Sequence, residues 1–147
     1  MRVYFDACCL NRPFDDQRQI RIRLETEAIA HLLRAVDEGR LVWVTSDALL
    51  YELLRCPDTD RRSALLAMCS SASERVLVDA ILMKRAREIR SQRVRDLDAL
   101  HLACAEQGRA AVVLTTDDKF TAAAARLNPS SVVRVVNPVV LETELLQ

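Results

Sequence analysis

Short, largely apolar runs separated by long amphipathic stretches constrain the fold of this chain more than any other feature. Apolar residues recur at helical spacing from about 20 to 38, and Gly39 follows where a helix commonly ends. Apolar strands that alternate with helices are typical of a parallel sheet covered on both faces. The runs predicted to form strands lie at 3–5, 41–45, 111–115 and 132–136, with a shorter extended piece at 76–78.

We therefore predict an α/β fold, a three-layer α/β/α sandwich around a central, mainly parallel sheet of four to five strands. The polar stretch 11–19 is expected to be a loop, and the segment that Pro138 opens is left unassigned. No internal repeat or composition shift marks a second domain, so residues 1–147 are predicted to form one domain. Further helices are predicted at 46–55, 60–70, 79–92, 96–107 and 118–127.

Charge and cysteine content narrow the class of protein. Basic and acidic residues number 21 each, which argues against a tight duplex binder but permits an enzyme with a local basic rim. The five cysteines are odd in number and lack a Cys-x-x-Cys pair, so neither a disulfide framework nor a zinc site is expected. Cys8 and Cys9 are interpreted as small core residues, with a redox-active pair as the alternative.

The sequence also bears on localisation. No run approaches the roughly 20 apolar residues of a membrane span, and no signal-peptide pattern is recognisable near Met1. We therefore expect a cytoplasmic protein with no membrane partner.

Two acids follow predicted strands. Asp6 comes directly after the first strand, and Asp117 comes two residues after the run 111–115. In open parallel sheets, ligands bind just outside the carboxyl ends of the strands, so both acids are expected at one edge. The alternative is that Asp6 shapes a turn and Asp117 caps the next helix.

Two further acids lie on predicted helices. Glu52 stands in a segment that is apolar nearly all round, where a carboxylate is costly unless it is paired or bound to a cation. Its alternatives are escape to solvent or a pair with Arg55. Asp96 and Asp98 do not share a helical face, so Asp96 is predicted as the N-cap and Asp98 as the ligand. Stabilisation by the helix dipole is the alternative for Asp98.

Converging carboxylates repel each other and either take up protons or bind cations. Oxygen ligands favour Mg²⁺ or Mn²⁺, and such a site suits metal-assisted cleavage of phosphodiester bonds. His31 and His101 are interpreted as structural residues, which leaves a metal-bound hydroxide or a carboxylate as the general base. The catalytic residues and metal ligands predicted for this nuclease are Asp6, Glu52, Asp98 and Asp117.

The order and placement of these acids resemble the PIN-domain family. The similarity covers essentially the whole chain, and a compact chain of this kind is most similar to the VapC-type toxins of bacterial toxin–antitoxin modules. The loop 8–17 is similar to one found in a mostly uncharacterised subgroup. The matching segments are 3–6, the Glu52 helix, Asp-Ala-Leu-His-Leu-Ala at 98–103 and Leu-Thr-Thr-Asp-Asp-Lys-Phe at 114–120.

The resemblance implies a PIN-like fold and an Mg²⁺- or Mn²⁺-dependent endoribonuclease that acts on RNA. It also implies a homodimer and the role of toxin in a type II module, often inhibited by an antitoxin protein that inserts a segment into the acidic groove. Two alternatives stay open. One is a catalytically inactive PIN-like scaffold that binds RNA or protein, and the other is a structure-specific DNA nuclease.

The resemblance also assigns roles near the acids. Many relatives carry Thr or Ser after the first acid, where this chain has Ala7, so a hydroxyl is missing beside Asp6. Thr115 or Thr116 is expected to supply the hydroxyl that assists in the family. Asp118 could replace Asp117 if the register shifts by one residue.

Substrate contacts are predicted from position and chemistry. Asn11 and Arg12 follow the first strand closely, and an arginine there could hold a phosphate through two hydrogen bonds. An ordinary loop turn with a solvated Arg12 is the alternative. Together with Thr116, these residues are predicted to bind substrate.

Overall fold

The computed structural model describes residues 1–127 and 133–147, and its centre is a five-stranded parallel sheet. All four pairings between neighbouring strands are parallel, in agreement with the predicted α/β/α sandwich. The strands are β1 (Arg2–Phe5), β2 (Val42–Ser46), β3 (Glu74–Val76), β4 (Val112–Leu114) and β5 (Arg134–Val136).

The order of the strands, β3-β2-β1-β4-β5, places the first strand in the middle of the sheet. The chain winds outward from β1 through β2 to β3, and then returns to add β4 and β5 on the other side. The gap between β1 and β4 is therefore the topological switch point, where α/β proteins bind their ligands. Phe5 pairs with Leu114, and the Asp6 amide donates to the Leu114 carbonyl at 2.9 Å.

Helices cover both faces of this sheet. Among them α5 packs against α6, α6 packs against β2 and β4, and α2 packs against α8. A 3-10 turn, Arg12–Phe14, follows α1, and a second one, Cys69–Ser71, follows α4. The helices are α1 (Ala7–Asn11), α2 (Ile20–Asp37), α3 (Asp47–Leu54), α4 (Thr59–Met68), α5 (Ala80–Arg90), α6 (Asp96–Gln107), α7 (Asp118–Ala125) and α8 (Pro138–Leu146).

The core is built from the alternating faces of the central strands. Successive residues of a strand point to opposite faces, and both Tyr4 and Phe5 are fully buried. Tyr4 contacts His101 of α6, so this face of the sheet lies under α6. Phe5 faces the other helical layer and packs edge-on against Trp43 of β2, with ring centroids 5.1 Å apart.

Most predicted elements are present, with four differences. The extended piece predicted at 76–78 is β3, which begins two residues earlier and spans Glu74–Val76. Residues 7–10, for which the sequence predicts no element, form most of α1, and residues 12–14 of the expected loop form a 3-10 turn. The third long strand is shorter than predicted, at Val112–Leu114, and residue 132 of the fourth lies outside the described part of the chain. The segment left unassigned is α8, which Asn137 caps with Pro138 in the first turn, a favoured position for proline.

Within residues 1–127 and 133–147, none of the helices combines the length and apolarity needed to cross a membrane.

Candidate active site

The structure brings the four predicted acids together around one open cavity of about 260 Å³. They come from four separate parts of the chain: the end of β1, helix α3, the start of α6 and the connection between β4 and α7. The cavity therefore lies at the switch point of the sheet. Its lining consists of Asp6, Cys8, Glu52, Arg95, Leu97, Asp98 and Asp117.

Asp6 is the most enclosed of the four acids, with 7% of its surface exposed. Its Oδ1 accepts from the Ala7 amide at 2.8 Å, so the side chain also caps α1. Its Oδ2 accepts from the Thr115 hydroxyl at 2.9 Å and from the Cys8 thiol at 3.3 Å. The hydroxyl that Ala7 cannot supply therefore reaches Asp6 from the neighbouring strand.

Glu52 is held by a chain of buried side chains that begins at the cap of its own helix. Its Oε1 lies 2.8 Å from His101 Nε2, and His101 Nδ1 lies 2.7 Å from the Tyr4 hydroxyl. The Tyr4 hydroxyl lies 2.6 Å from Ser46 Oγ, which accepts from the Leu49 amide and so caps α3. The carboxylate of Glu52 is thus oriented from the core of the protein.

The chemistry of these groups determines which atom carries the hydrogen in each of these hydrogen bonds. A carboxylate can only accept, so His101 Nε2 carries the hydrogen that is donated to Glu52. Burial raises the pKa of Tyr4 well above its usual value, so this hydroxyl stays protonated and can donate to Nδ1 of a neutral imidazole. Burial by itself lowers the pKa of His101, but the hydrogen bond to Glu52 and the charge of Asp6 outweigh it and raise the pKa.

Asp98 and Asp117 complete the other side of the cavity. Asp98 is in the first turn of α6 with 14% of its side chain exposed, and burial raises its pKa. Asp117 caps α7 through the Lys119 amide at 2.9 Å. The Arg95 guanidinium contacts both carboxylates: Nε donates to Asp98 Oδ2 at 3.2 Å and Nη2 donates to Asp117 Oδ2.

These donors fit a divalent cation. The ligand atoms of Asp6, Glu52 and His101 lie within 4.8 Å of one another. Because His101 Nε2 donates its hydrogen to Glu52, the ring holds this carboxylate in place, and the carboxylate oxygens are the groups left to bind an ion. Asp98 and Asp117 add two carboxylates to the same cavity. A set dominated by carboxylate oxygens matches hard cations such as Mg²⁺ and Mn²⁺.

Several candidates from the sequence lie outside this cavity. Asn11 donates to the Ala7 carbonyl at 2.9 Å and accepts from Arg61, while Arg12 is paired with the buried Glu25 at 2.8 Å. Thr116 is buried without lining the cavity. The substrate-binding role of Asn11, Arg12 and Thr116 stays a prediction.

The structure distinguishes Asp117 from Asp118, the two acids that follow β4. Asp117 lines the cavity, whereas the exposed Asp118 is bound by Arg21 at 2.9 Å through each of two guanidinium nitrogens. This hydrogen bonding lowers the pKa of Asp118. Asp118 is therefore a surface ion-pair residue and not the member of the acidic cluster.

Two local expectations were wrong. Helix α3 is not buried nearly all round, because Tyr51 and Leu54 are more than half exposed and the Glu52 side chain is 31% exposed. The alternative of a pair between Glu52 and Arg55 is not realised, because the partner of Glu52 is His101. The N-cap of α6 is Arg95, which places Asp96 in the first turn.

His101 is the member of the site that the sequence interpretation missed. An apolar helix face made it look like a core histidine, and it is indeed buried. The available signal was its spacing, because residues three apart on a helix share a face and His101 is three residues after Asp98. Its ring therefore contributes to the cluster from the buried side.

Known proteins resemble this chain in sequence pattern and in fold. A family model described as the PIN domain matches residues 3–126. A search of curated proteins gave no match to the sequence. Among solved structures, the chain is similar to VapBC2 from Rickettsia felis bound to a DNA fragment from their promoter, with a TM-score of 0.60 and 12% identity. That alignment covers 92% of this chain and 98% of the other.

Two further solved structures have a similar fold. VapC20 from Mycobacterium tuberculosis, described as a Sarcin-Ricin loop cleaving toxin, has a TM-score of 0.56 and 21% identity over 82% of this chain and 94% of that one. A protein from Pyrobaculum aerophilum has a TM-score of 0.56 and 17% identity over 99% and 96% of the two chains. At these identities the likeness concerns the fold.

The family assignment rests on the model match together with the site. The matched segment includes all four acids and runs through β1 to α7. The strand order and the acidic cavity at the switch point are consistent with it. The chain belongs to the PIN domain family, a family of nucleases.

Proposed function

We propose that this protein is a metal-dependent endoribonuclease that cleaves RNA phosphodiester bonds, and that it is the toxin of a type II toxin–antitoxin module. The observation that carries the proposal is the convergence of Asp6, Glu52, Asp98 and Asp117 on one cavity at the switch point of the sheet. Converging carboxylates either take up protons or bind cations, and Arg95 bonds to two of the four, Asp98 and Asp117.

In this proposal the four carboxylates hold Mg²⁺ or Mn²⁺. The bound ion would activate a water molecule and stabilise negative charge in the transition state. The protein's own groups keep the ligands in place: Thr115 orients Asp6, and the chain from Ser46 through Tyr4 and His101 orients Glu52. Such supporting hydrogen bonds fix the direction in which a ligand oxygen points.

The RNA substrate and the toxin role are proposed from the relatives. VapC20 is by its description a toxin that cleaves the sarcin-ricin loop, and the Rickettsia felis structure is described as VapBC2 on promoter DNA. By analogy we propose an antitoxin protein as a partner, a homodimer and a cytoplasmic location. A carboxylate cluster does not itself distinguish ribose from deoxyribose, so substrate choice must be measured.

A pair of neighbouring substitutions tests the nuclease. Asp98→Asn removes an acid from the cavity, whereas Asp96→Asn removes an acid from the same helix whose side chain is 85% exposed. Both variants and the wild type are incubated with single-stranded RNA and DNA in Mg²⁺, in Mn²⁺ and in chelator. We expect metal-dependent RNA cleavage that falls at least about 100-fold in the first variant and is retained in the second.

Each other outcome has a defined meaning. Equal cleavage by the wild type and Asp98→Asn would indicate a contaminating nuclease and overturn the assignment. Intact RNA that is nevertheless retained tightly would indicate an inactive binding scaffold. Cleavage of DNA alone would make the protein a DNA nuclease. A small co-expressed protein that co-purifies and blocks cleavage would support the toxin role.

A further inference from the structure

Arg95 occupies an unusual place at the edge of the acidic cavity. It is the N-cap of α6, and its side chain makes no capping hydrogen bond. The guanidinium instead reaches over the cavity and contacts Asp98 from its own helix and Asp117 from the connection after β4. Of the described residues that line the cavity, Arg95 alone carries a positive charge.

The contacts of Arg95 compete with any other cation at these acids. Arginine stays protonated in proteins, so the competition cannot be relieved by loss of a proton. The carboxylates of Asp98 and Asp117 would each have to exchange the guanidinium for the incoming ion. Because 57% of the Arg95 side chain is exposed, the exchange does not require the core to open. Exposed ion pairs are weak enough to be displaced.

A displaced Arg95 would stand at the mouth of the cavity with its donors free. A guanidinium can bind a phosphate through two parallel hydrogen bonds, which makes phosphodiester oxygens a natural new partner. The side chain extends from the end of a helix, and its backbone is held by α6. Little rearrangement other than side-chain rotation is therefore needed to pass from carboxylate to phosphate.

We propose that Arg95 is an internal counter-ion that competes with the metal for Asp98 and Asp117 and that binds a substrate phosphate once the metal displaces it. This inference rests on the proposed nuclease function. It assigns two opposite effects to one side chain: Arg95 weakens metal binding and strengthens substrate binding. A residue with only a structural role would not separate these effects.

The test measures both effects on the same proteins. For the wild type, Arg95→Ala and Arg95→Lys, calorimetry measures the affinity for Mn²⁺. RNA cleavage is then measured for the same three proteins at saturating Mn²⁺. The control is Arg40→Ala, which removes an equally exposed arginine whose partner is Glu38 and which precedes β2 at the opposite edge of the sheet. Thermal melts establish that every variant is folded.

We expect Arg95→Ala to bind Mn²⁺ about three- to tenfold more tightly and to lose about tenfold or more in kcat/KM, mainly through a higher KM for RNA. Arg95→Lys keeps the charge without the planar fork, so it should retain metal binding closer to the wild type and still show a raised KM. Arg40→Ala should match the wild type in both measurements.

Two results would overturn the inference. Unchanged Mn²⁺ affinity in Arg95→Ala would remove the competition, and unchanged kcat/KM would remove the phosphate contact. A wild-type protein that neither binds Mn²⁺ nor cleaves RNA would overturn the proposed function and this inference with it. Calorimetry distinguishes failure of this inference from failure of the proposed function, because the measured Mn²⁺ affinity does not depend on turnover.

Discussion

Asp98 shows how a carboxyl group that lines the cavity affects the stability of the folded protein. Burial raises the pKa of its carboxyl group, Arg95 counteracts part of this effect, and the charges of Asp6 and Asp117 add to it. A carboxyl group whose pKa is higher in the folded protein than in the unfolded chain destabilises the fold when it is ionised. The penalty is complete above the folded pKa and fades as the pH falls towards the unfolded value.

Asp98→Asn should therefore raise the melting temperature at neutral pH, although we expect the same substitution to reduce RNA cleavage. The gain should shrink as the pH falls through the raised pKa of Asp98, because the wild-type carboxyl then becomes neutral as well. Asp96→Asn is the control. This exposed acid in the first turn should stabilise the helix by interacting with its dipole, so its loss should not raise the melting temperature. Melting curves from neutral to acidic pH measure both, and a lower melting temperature for Asp98→Asn at pH 7 would contradict the prediction.

At this scale the sequence identified the acids better than their surroundings. A carboxylate at a strand end or in an apolar segment stands out from the residue pattern alone. The partner of Glu52 does not, because His101 is 49 residues away in the chain and reaches it only through the packing of α6 beside α3. The hydroxyl on Asp6 was expected from Thr115 or Thr116 through the family resemblance alone, and Thr115 supplies it from the end of the neighbouring strand β4.

Two helices end in glycine for different physical reasons. Gly39 follows α2 with φ at +73°, and an added Cβ would meet no atom within 4 Å. Gly108 ends α6 with φ at −79°, which any residue can adopt, but an added Cβ would lie 2.5 Å from Val44 Cγ1. Gly39 therefore supplies a backbone conformation, and Gly108 supplies space between α6 and the sheet.

The effects of Gly39→Ala and Gly108→Ala on stability should differ in how they combine with a second substitution, Val44→Ala. Gly39→Ala should cost about 1 kcal/mol of folding free energy through its left-handed backbone, whereas Gly108→Ala should cost roughly 1–3 kcal/mol through overpacking. Adding Val44→Ala should relieve part of the second penalty and none of the first, so only the Gly108 pair is non-additive. Denaturant unfolding of the wild type, the three single variants and the two double variants measures these free energies, and additive penalties at both glycines would contradict this account.

Element prediction succeeded where a periodic pattern was long and failed where it was short. The period of α2 and the glycines after α2 and α6 were sufficient to place both helices within a residue or two. Helix α1 has only five residues, so too few apolar positions repeat to reveal it. The cap of α6 was misplaced by one residue because Asp96 has the better capping side chain, although Arg95 has the extended backbone.

At the scale of the whole molecule, the site depends on strand order. Asp6 and Asp117 are 111 residues apart in the chain and become neighbours because β1 pairs with β4. The sequence could predict that both acids lie at the carboxyl edge, but the adjacency of β1 and β4 follows from the packing of the complete sheet. Resemblance to the family places both acids in one cluster without giving the strand order, and the strand order is seen only in the structure.

A metal held by these four acids would connect segments that are independent in the unfolded chain. Because the unfolded chain cannot assemble the site, binding energy adds to folding energy by mass action. At a Mn²⁺ concentration of 100 times Kd, the free energy of unfolding should rise by about 2.7 kcal/mol, which corresponds to several degrees in melting temperature. Asp6→Asn should lose most of this shift, because Asp6 is the most enclosed of the four proposed ligands. Asp96→Asn should keep it, and an equal shift in Asp6→Asn and the wild type would mean that the ion binds elsewhere.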